Sequence, residues 1–167
     1  DKWDEKIKAI INNTLNENIT SLAGVPSWML ILLNKILEER NETTIKDIWG
    51  NLEVYFHGGV NFDPYINQFK SVLGDGVRFY ETYNASEGFF AIQDRNDHND
   101  MLLMLDYGIY FEFEILNKLN HEIINLSKVK LDTNYAIIIS TNAGLWRYKI
   151  GDTIKFTSLN PFRIKIT

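Results

Sequence analysis

Between Lys2 and about Glu17 the chain places apolar side chains at Trp3, Ile7, Ile10, Ile11 and Leu15, a spacing that puts them on one face of a helix. Gly24-Val25-Pro26 interrupts that pattern. Ser27 then stands where it can cap a second helix running to about Glu39. The early part of this helix, Trp28-Met29-Leu30-Ile31-Leu32-Leu33, is apolar around most of its circumference, which predicts a well-buried element. Asn51–Phe56 reads as a strand leading into His57-Gly58-Gly59. Asp63 and Pro64 read as the N-cap and first turn of a helix that ends near Gly74.

From Val77 onward the apolar period shortens. Short strands are predicted at 77–82, 89–93, 101–105, 109–115, 135–141, 145–149 and 153–157, and Phe162–Thr167 reads as a strand cut short. A helix-rich first part followed by strands predicts an α/β architecture whose later part is mostly antiparallel. No repeat, low-complexity tract or Pro/Gly-rich linker divides the pattern, so residues 1–167 read as a single unit.

Composition narrows the function classes. The chain of 167 residues is 45% hydrophobic, enough for a packed core and too much for disorder. A net charge of -5 with no basic block excludes a nucleic-acid partner bound through its backbone. The absence of cysteine excludes disulfides and thiolate metal sites and fits a reducing, cytoplasmic setting. The chain opens Asp-Lys-Trp-Asp without a secretory leader, and its longest apolar run, at Trp28, is too short to span a membrane. Asn-x-Ser/Thr triplets begin at Asn12, Asn18, Asn41, Asn84 and Asn125, as expected by chance in an Asn-rich chain.

Three segments can carry chemistry. Tyr83-Asn84-Ala85-Ser86-Glu87-Gly88 follows a predicted strand. A turn of small residues exposes backbone N–H groups, and a hydroxyl and a carboxylate beside them can contact phosphate and a divalent cation, although the residues alone read as a plain β-turn with an exposed acid first. Gly144-Leu145-Trp146-Arg147-Tyr148-Lys149-Ile150-Gly151-Asp152 reads first as a hairpin with an aromatic and cationic face, and second as a way of aiming one carboxylate from a strand end at a ribose diol. His57-Gly58-Gly59-Val60 permits either a ligand close to backbone or a tight strand-to-helix turn. Asp94, Asp97, His98 and Asp100 read as a solvated loop before they read as a metal site, and Phe89, Phe90, Tyr107, Tyr110, Phe111 and Phe113 as core before a ligand cage. The phosphate loop G-x-x-x-x-G-K-[ST] and a nucleophile elbow are both absent.

Taken in order, Ser21-Leu22-Ala23-Gly24-Val25-Pro26-Ser27-Trp28, His57-Gly58-Gly59-Val60, Tyr83-Asn84-Ala85-Ser86-Glu87-Gly88-Phe89-Phe90 and Trp146–Asp152 resemble the Gretchen Hagen 3 family of acyl-acid amido synthetases, in its bacterial wording. The family lies within the adenylate-forming superfamily. The resemblance implies that a carboxylic acid attacks ATP to give an acyl-adenylate, which an amine or amino acid then takes up. It implies that Tyr83 stacks on adenine, with Ala85 beside it, that Ser86 meets phosphate, and that Glu87 helps hold magnesium. Asp152 would hold the ribose hydroxyls, Gly58 and Gly59 would line the nucleotide and acyl pocket through backbone, and Val25, Pro26 and Trp28 would wall the acyl site. The family's phosphate loop and small C-terminal domain lie outside these residues. The chain is therefore expected to be an internal fragment of the large N-terminal domain and not to turn over alone. Two further readings stay open: a superfamily relative that passes its acyl group to coenzyme A, and a nucleotide or small-acid binding protein without catalysis.

Overall fold

The computed structural model describes residues 2–116 and 121–167, and the chain divides into two compact units, Asp1–Glu81 and Thr82–Thr167. The boundary lies close to Val77, where the apolar period changes, but it falls within a strand and no linker marks it, so the sequence reads as one unit.

In the first unit, α1 (Lys2–Thr14) buries Ile7 and Ile11, as its period predicts. The chain continues through β1 (Ser21–Gly24), α2 (Pro26–Arg40), α3 (Ile45–Ile48), β2 (Val54–His57), a 3-10 turn at Asp63–Tyr65, α4 (Ile66–Leu73) and the first half of β3 (Arg78–Ala85). The three strands are parallel, with Ser21 opposite Val54 and Val54 opposite Arg78. Parallel neighbours need crossover connections, which the helices supply. Leu33 and Ile36 of α2 and Phe69 and Leu73 of α4 pack around Tyr55, whose ring stacks on Phe69 with centroids 4.5 Å apart.

Three local expectations change. Val25, extended at φ -69° and ψ 130°, is the N-cap of α2, because Pro26 carries the φ suited to the first helical position; Ser27 lies inside the first turn. The helix is not buried all round: Trp28 is 59% and Ile31 45% exposed. The helix expected from Asp63 begins as a 3-10 turn, with Asn61 Oδ1 accepting the Asp63 N–H at 3.1 Å.

The second unit is antiparallel. The last half of β3 pairs with β4 (Gly88–Ile92), and β5 (Met101–Leu103), β6 (Ile109–Ile115), β7 (Ile123–Asn125), β8 (Asn134–Thr141), β9 (Tyr148–Leu159) and β10 (Phe162–Ile166) follow. Their order across the sheet is β3-β4-β5-β10-β9-β8-β6-β7. Strand β6 alternates as a half-buried strand should, with Phe111 and Phe113 inward and Tyr110 and Glu112 on the other face. Of the expected aromatic core, Phe90, Phe111 and Phe113 are buried, while Tyr107 and Tyr110 are exposed. The two strands expected at 145–149 and 153–157 are one continuous strand, β9.

The stretch read as a solvated loop is partly structural. Arg163 is 4% exposed; its Nη1 donates to Asp100 Oδ1 at 3.2 Å and its Nη2 to Asp94 Oδ2 at 2.8 Å, while the Thr157 hydroxyl donates to Asp100 Oδ2 at 2.7 Å. A buried guanidinium must be paired, and two carboxylates provide the pairing.

Candidate active site

The β3–β4 hairpin turns on two residues, Ser86 and Glu87, with Ala85 opposite Gly88. Tyr83, Asn84 and Ala85 thus belong to the strand, and the turn proper is shorter than the sequence suggests. Gly88 is closely approached: a Cβ there would lie 2.8 Å from Ile109 Cδ1 and 3.2 Å from Phe90 Cε1, so those side-chain ends would have to shift to admit one. Ser86 and Ala85 are exposed, and Glu87 is half-buried.

Asp152 comes from the middle of β9 rather than a strand end. Ala136 of β8 faces Thr153 and Ile138 faces Lys149, so Ile150, Gly151 and Asp152 bulge out opposite Ile137. Gly151 takes φ +103°, a conformation that favours glycine, with nothing within 4 Å of where its Cβ would be. A bulge of this kind re-aims a side chain. Here it directs Asp152 to Tyr83, whose hydroxyl donates to Asp152 Oδ2 at 2.8 Å across 69 residues of chain.

Tyr83 is 5% exposed and packs edge-on to Phe90, with centroids 5.0 Å apart. Its ring lies in the core and offers no open face to a base in this structure. Burial, then the bond to Asp152, then the charges of Asp152 and Glu87 hold its phenol well above the ordinary value. That Glu87 acts on Tyr83 puts the turn carboxylate and Asp152 in one electrostatic neighbourhood. Asp152 itself is exposed and makes no other hydrogen bond among the described residues, so its second oxygen is available to a ligand.

The other expected site residues lie in the first unit. Pro26 is buried in the first turn of α2, Val25 and Trp28 are exposed, and Trp28 meets Trp3 edge to face at 5.5 Å. Gly59 has φ +80°, and a Cβ there would lie 3.6 Å from Val25 Cγ2, so the glycine turn and the start of α2 are neighbours. Tyr55 supports that end of the unit by donating its hydroxyl to the Gly24 carbonyl at 2.8 Å. Ahead of Gly58, His57 is buried against Phe62 at 3.8 Å, and burial pushes its pKa down to about 4, so it is neutral at pH 7. Among the described residues no group of three or more His, Cys, Asp or Glu side chains is placed to hold a metal ion, and no helix is long and apolar enough to cross a membrane.

The sequence motifs name Tyr83 and Asp152 but not the bond between them. A contact between residues so far apart leaves no periodic or spacing signal.

The fold is similar to that of solved amido synthetases and CoA ligases. A solved acyl acid amido synthetase in complex with 2,4-DB superposes with a TM-score of 0.71 at 16% identity, over 89% of this chain and 35% of that one. A solved 2-hydroxyisobutyryl-CoA ligase in complex with 2-HIB-AMP and CoA gives 0.67 at 15% identity, over 94% and 37%.

Residues 1–78 match the GH3 family N-terminal domain and residues 102–167 the GH3 family central domain, and the chain belongs to the GH3 (Gretchen Hagen 3) family. A jasmonoyl–L-amino acid synthetase of Nicotiana attenuata is 30% identical over 104 residues, 57% of this chain and 18% of the relative. An indole-3-acetic acid-amido synthetase of Arabidopsis thaliana is 28% identical over 95% of this chain and 27% of its own length. The chain thus spans about a fifth to a quarter of these plant relatives.

Proposed function

We propose that this chain builds the nucleoside side of the site in an ATP-dependent acyl-acid amido synthetase. One observation carries the reading: Asp152, aimed by a bulge and held by Tyr83, shares a unit and an electrostatic neighbourhood with the Ser86–Glu87 turn. The free oxygen of Asp152 accepts hydrogen bonds from a ribose diol. Ser86 and the backbone N–H groups of the turn meet phosphate. Tyr83 orients Asp152 through its hydroxyl, and its ring can serve adenine only once uncovered. Gly58 and Gly59 leave room for ligand against backbone, and Val25, Pro26 and Trp28 wall the acyl group.

In the first half-reaction a carboxylate oxygen of the acid attacks the α-phosphorus of ATP and the bond to pyrophosphate breaks. In the second, the nitrogen of an amine or amino acid attacks the acyl carbon, the bond to AMP breaks, and the amine gives up a proton. Jasmonoyl- and indole-3-acetic acid-conjugating relatives point to an organic acid and an amino acid as the partners. Glu87, half-buried in the turn, would hold magnesium together with substrate phosphates, since Mg2+ is commonly bound by one or two protein carboxylates, and the ion would offset charge on the transferring group. A cytoplasmic setting goes with ATP use and a cysteine-free chain. The likeness to a CoA ligase supports a second reading, in which a thiol replaces the amine.

Glu87→Gln in the full-length protein tests the proposal. It keeps the side-chain shape and removes a charged, hard oxygen ligand. The magnesium concentration needed for acyl-adenylate formation is expected to rise, and the rate to fall at saturating ATP, while the melting temperature stays nearly constant. Unaltered activity and metal dependence would remove Glu87 from the site and sink the assignment.

A further inference from the structure

The segment that carries Asp152 is tied down on one face by two ion pairs. Arg147 donates through Nε to Glu112 Oε2 at 2.9 Å and through Nη2 to Glu112 Oε1 at 3.2 Å. Its backbone N–H also donates to Ser140 Oγ at 3.0 Å. Lys149 Nζ pairs with Glu114 Oε2, and His121 Nδ1 lies 2.6 Å from Glu114 Oε1.

The register gives the second pair a particular geometry. Glu112, Ile138 and Lys149 form one row across β6, β8 and β9, the last row before the bulge. Glu114, Ala136 and Thr153 form the first row after it. The Lys149–Glu114 bridge therefore runs diagonally, from the strand residue preceding the bulge to the row that follows it, over the middle strand. Glu114 is nearly buried, and its hydrogen bond with Lys149, then that with His121, holds its carboxyl below the ordinary carboxylate range, so it is charged at pH 7. A charged acid in that place has a strong demand for its lysine.

We propose that Glu114 and Lys149 are positioning residues: their diagonal bridge fixes the shape of the Ile150–Asp152 bulge and so the aim of Asp152 at the nucleotide. The inference rests on the nucleotide-site reading above. It adds that the affinity for ATP depends on a pair that touches neither substrate.

The test uses the full-length protein, titrated with ATP and separately with a small-acid substrate. Lys149→Met is expected to weaken ATP about three- to tenfold, less than Asp152→Ala, and to leave the KM for the acid unchanged. Lys149→Arg restores ATP affinity, and Glu114→Gln reproduces the loss. The deciding measurement is the double variant: with Asp152→Ala already present, adding Lys149→Met changes ATP affinity no further, because the aim of a missing carboxylate is without effect. A Lys149→Met penalty that is the same with and without Asp152, or that falls equally on ATP and acid, overturns the proposal. If Glu114→Gln fails to fold, the lysine series decides alone. Failure of the unmodified protein to bind ATP overturns the nucleotide-site reading itself, whereas ATP binding that responds to Asp152→Ala but not to Lys149→Met overturns only the brace.

Discussion

The two units present their candidate residues by opposite means. In the first, short parallel strands end in glycine turns, and what faces outward is backbone at Gly58 and Gly59 beside apolar side chains at Val25 and Trp28. In the second, long antiparallel strands carry a hairpin turn and a bulge, and what faces outward is polar side chains, of which Asp152 is held by a hydrogen bond from Tyr83. Backbone at a strand end tolerates many ligand shapes, as the acyl pocket proposed above would require. A ribose and a phosphate are fixed in geometry and need carboxylates and hydroxyls held in place. The first unit is stabilised by an apolar and aromatic core around Tyr55, whereas the second also contains buried charge.

That contrast can be broken by removing the buried charge. Arg163→Met leaves Asp100 without its cation in the core of the second unit, and the expected loss is about 3–5 kcal/mol of that unit's stability. Chemical denaturation followed by residue-resolved hydrogen exchange should show the loss in Thr82–Thr167 and not in Asp1–Glu81. Equal loss in both units would erase the distinction.

Acid distinguishes the units in the other direction. His57 is neutral and buried in the first unit, its pKa pushed down to about 4 from 6.5. The native state thus binds fewer protons than the unfolded chain. Its contribution is fully present above pH 6.5 and is lost as pH falls toward 4, on the order of 3 kcal/mol in all. Melting temperature measured across this window should fall less steeply in His57→Phe. An identical slope would show that His57 is not the titrating group.

The side-chain site of the second unit is sharpened by Asp152→Ala. Charge-assisted hydrogen bonds to a diol are worth roughly 1.5–3 kcal/mol each, so ATP affinity should fall about ten- to a hundredfold in a folded protein. Isothermal titration reads this directly, and an unchanged constant would take Asp152 out of the site.

The smallest effect compares one glycine from each unit. Gly59 (φ +80°) and Gly151 (φ +103°) both have room for a methyl group, so alanine at either meets backbone strain alone, about 1–2 kcal/mol. Gly59→Ala is expected to cost stability with a smaller loss of ATP affinity than Gly151→Ala, because Gly59 meets ligand through backbone and aims no side chain. Gly151→Ala is expected to cost both, since the bulge aims Asp152. Matching losses of ATP affinity in the two variants would argue that the bulge has no aiming role.

Elements with a strong internal period were legible in the sequence. The apolar face of α1, the alternation of β6 and the hairpin strands around Ser86–Glu87 can each be read from neighbours a few residues apart. Strand β1, Ser21-Leu22-Ala23-Gly24, and the one-turn helix α3 are too short to carry a period, and both were missed. Gly151 reads as a strand end because a glycine there resembles a stop; only the register with β8 shows a bulge within a continuous strand. The exposure of Trp28 and the burial of Arg163 were illegible for one reason: each depends on what packs from far along the chain. In the site, the motifs named the residues, and the fold supplied the Tyr83–Asp152 bond and the burial of the Tyr83 ring.

The Arg163 cluster also has a kinetic meaning. The β8–β9 and β9–β10 pairs join neighbours in sequence, whereas the β5–β10 seam, where Arg163 faces Leu102, closes a loop of about sixty residues. The entropy of closing long loops delays such contacts until local ones exist. The ion pairs to Asp94 and Asp100 sit on that late seam, so they act as a latch rather than a nucleus. Weakening them, as in Arg163→Met, is expected to speed unfolding while leaving the folding rate nearly untouched, so that the lifetime of the native second unit would be governed by the seam farthest apart in sequence.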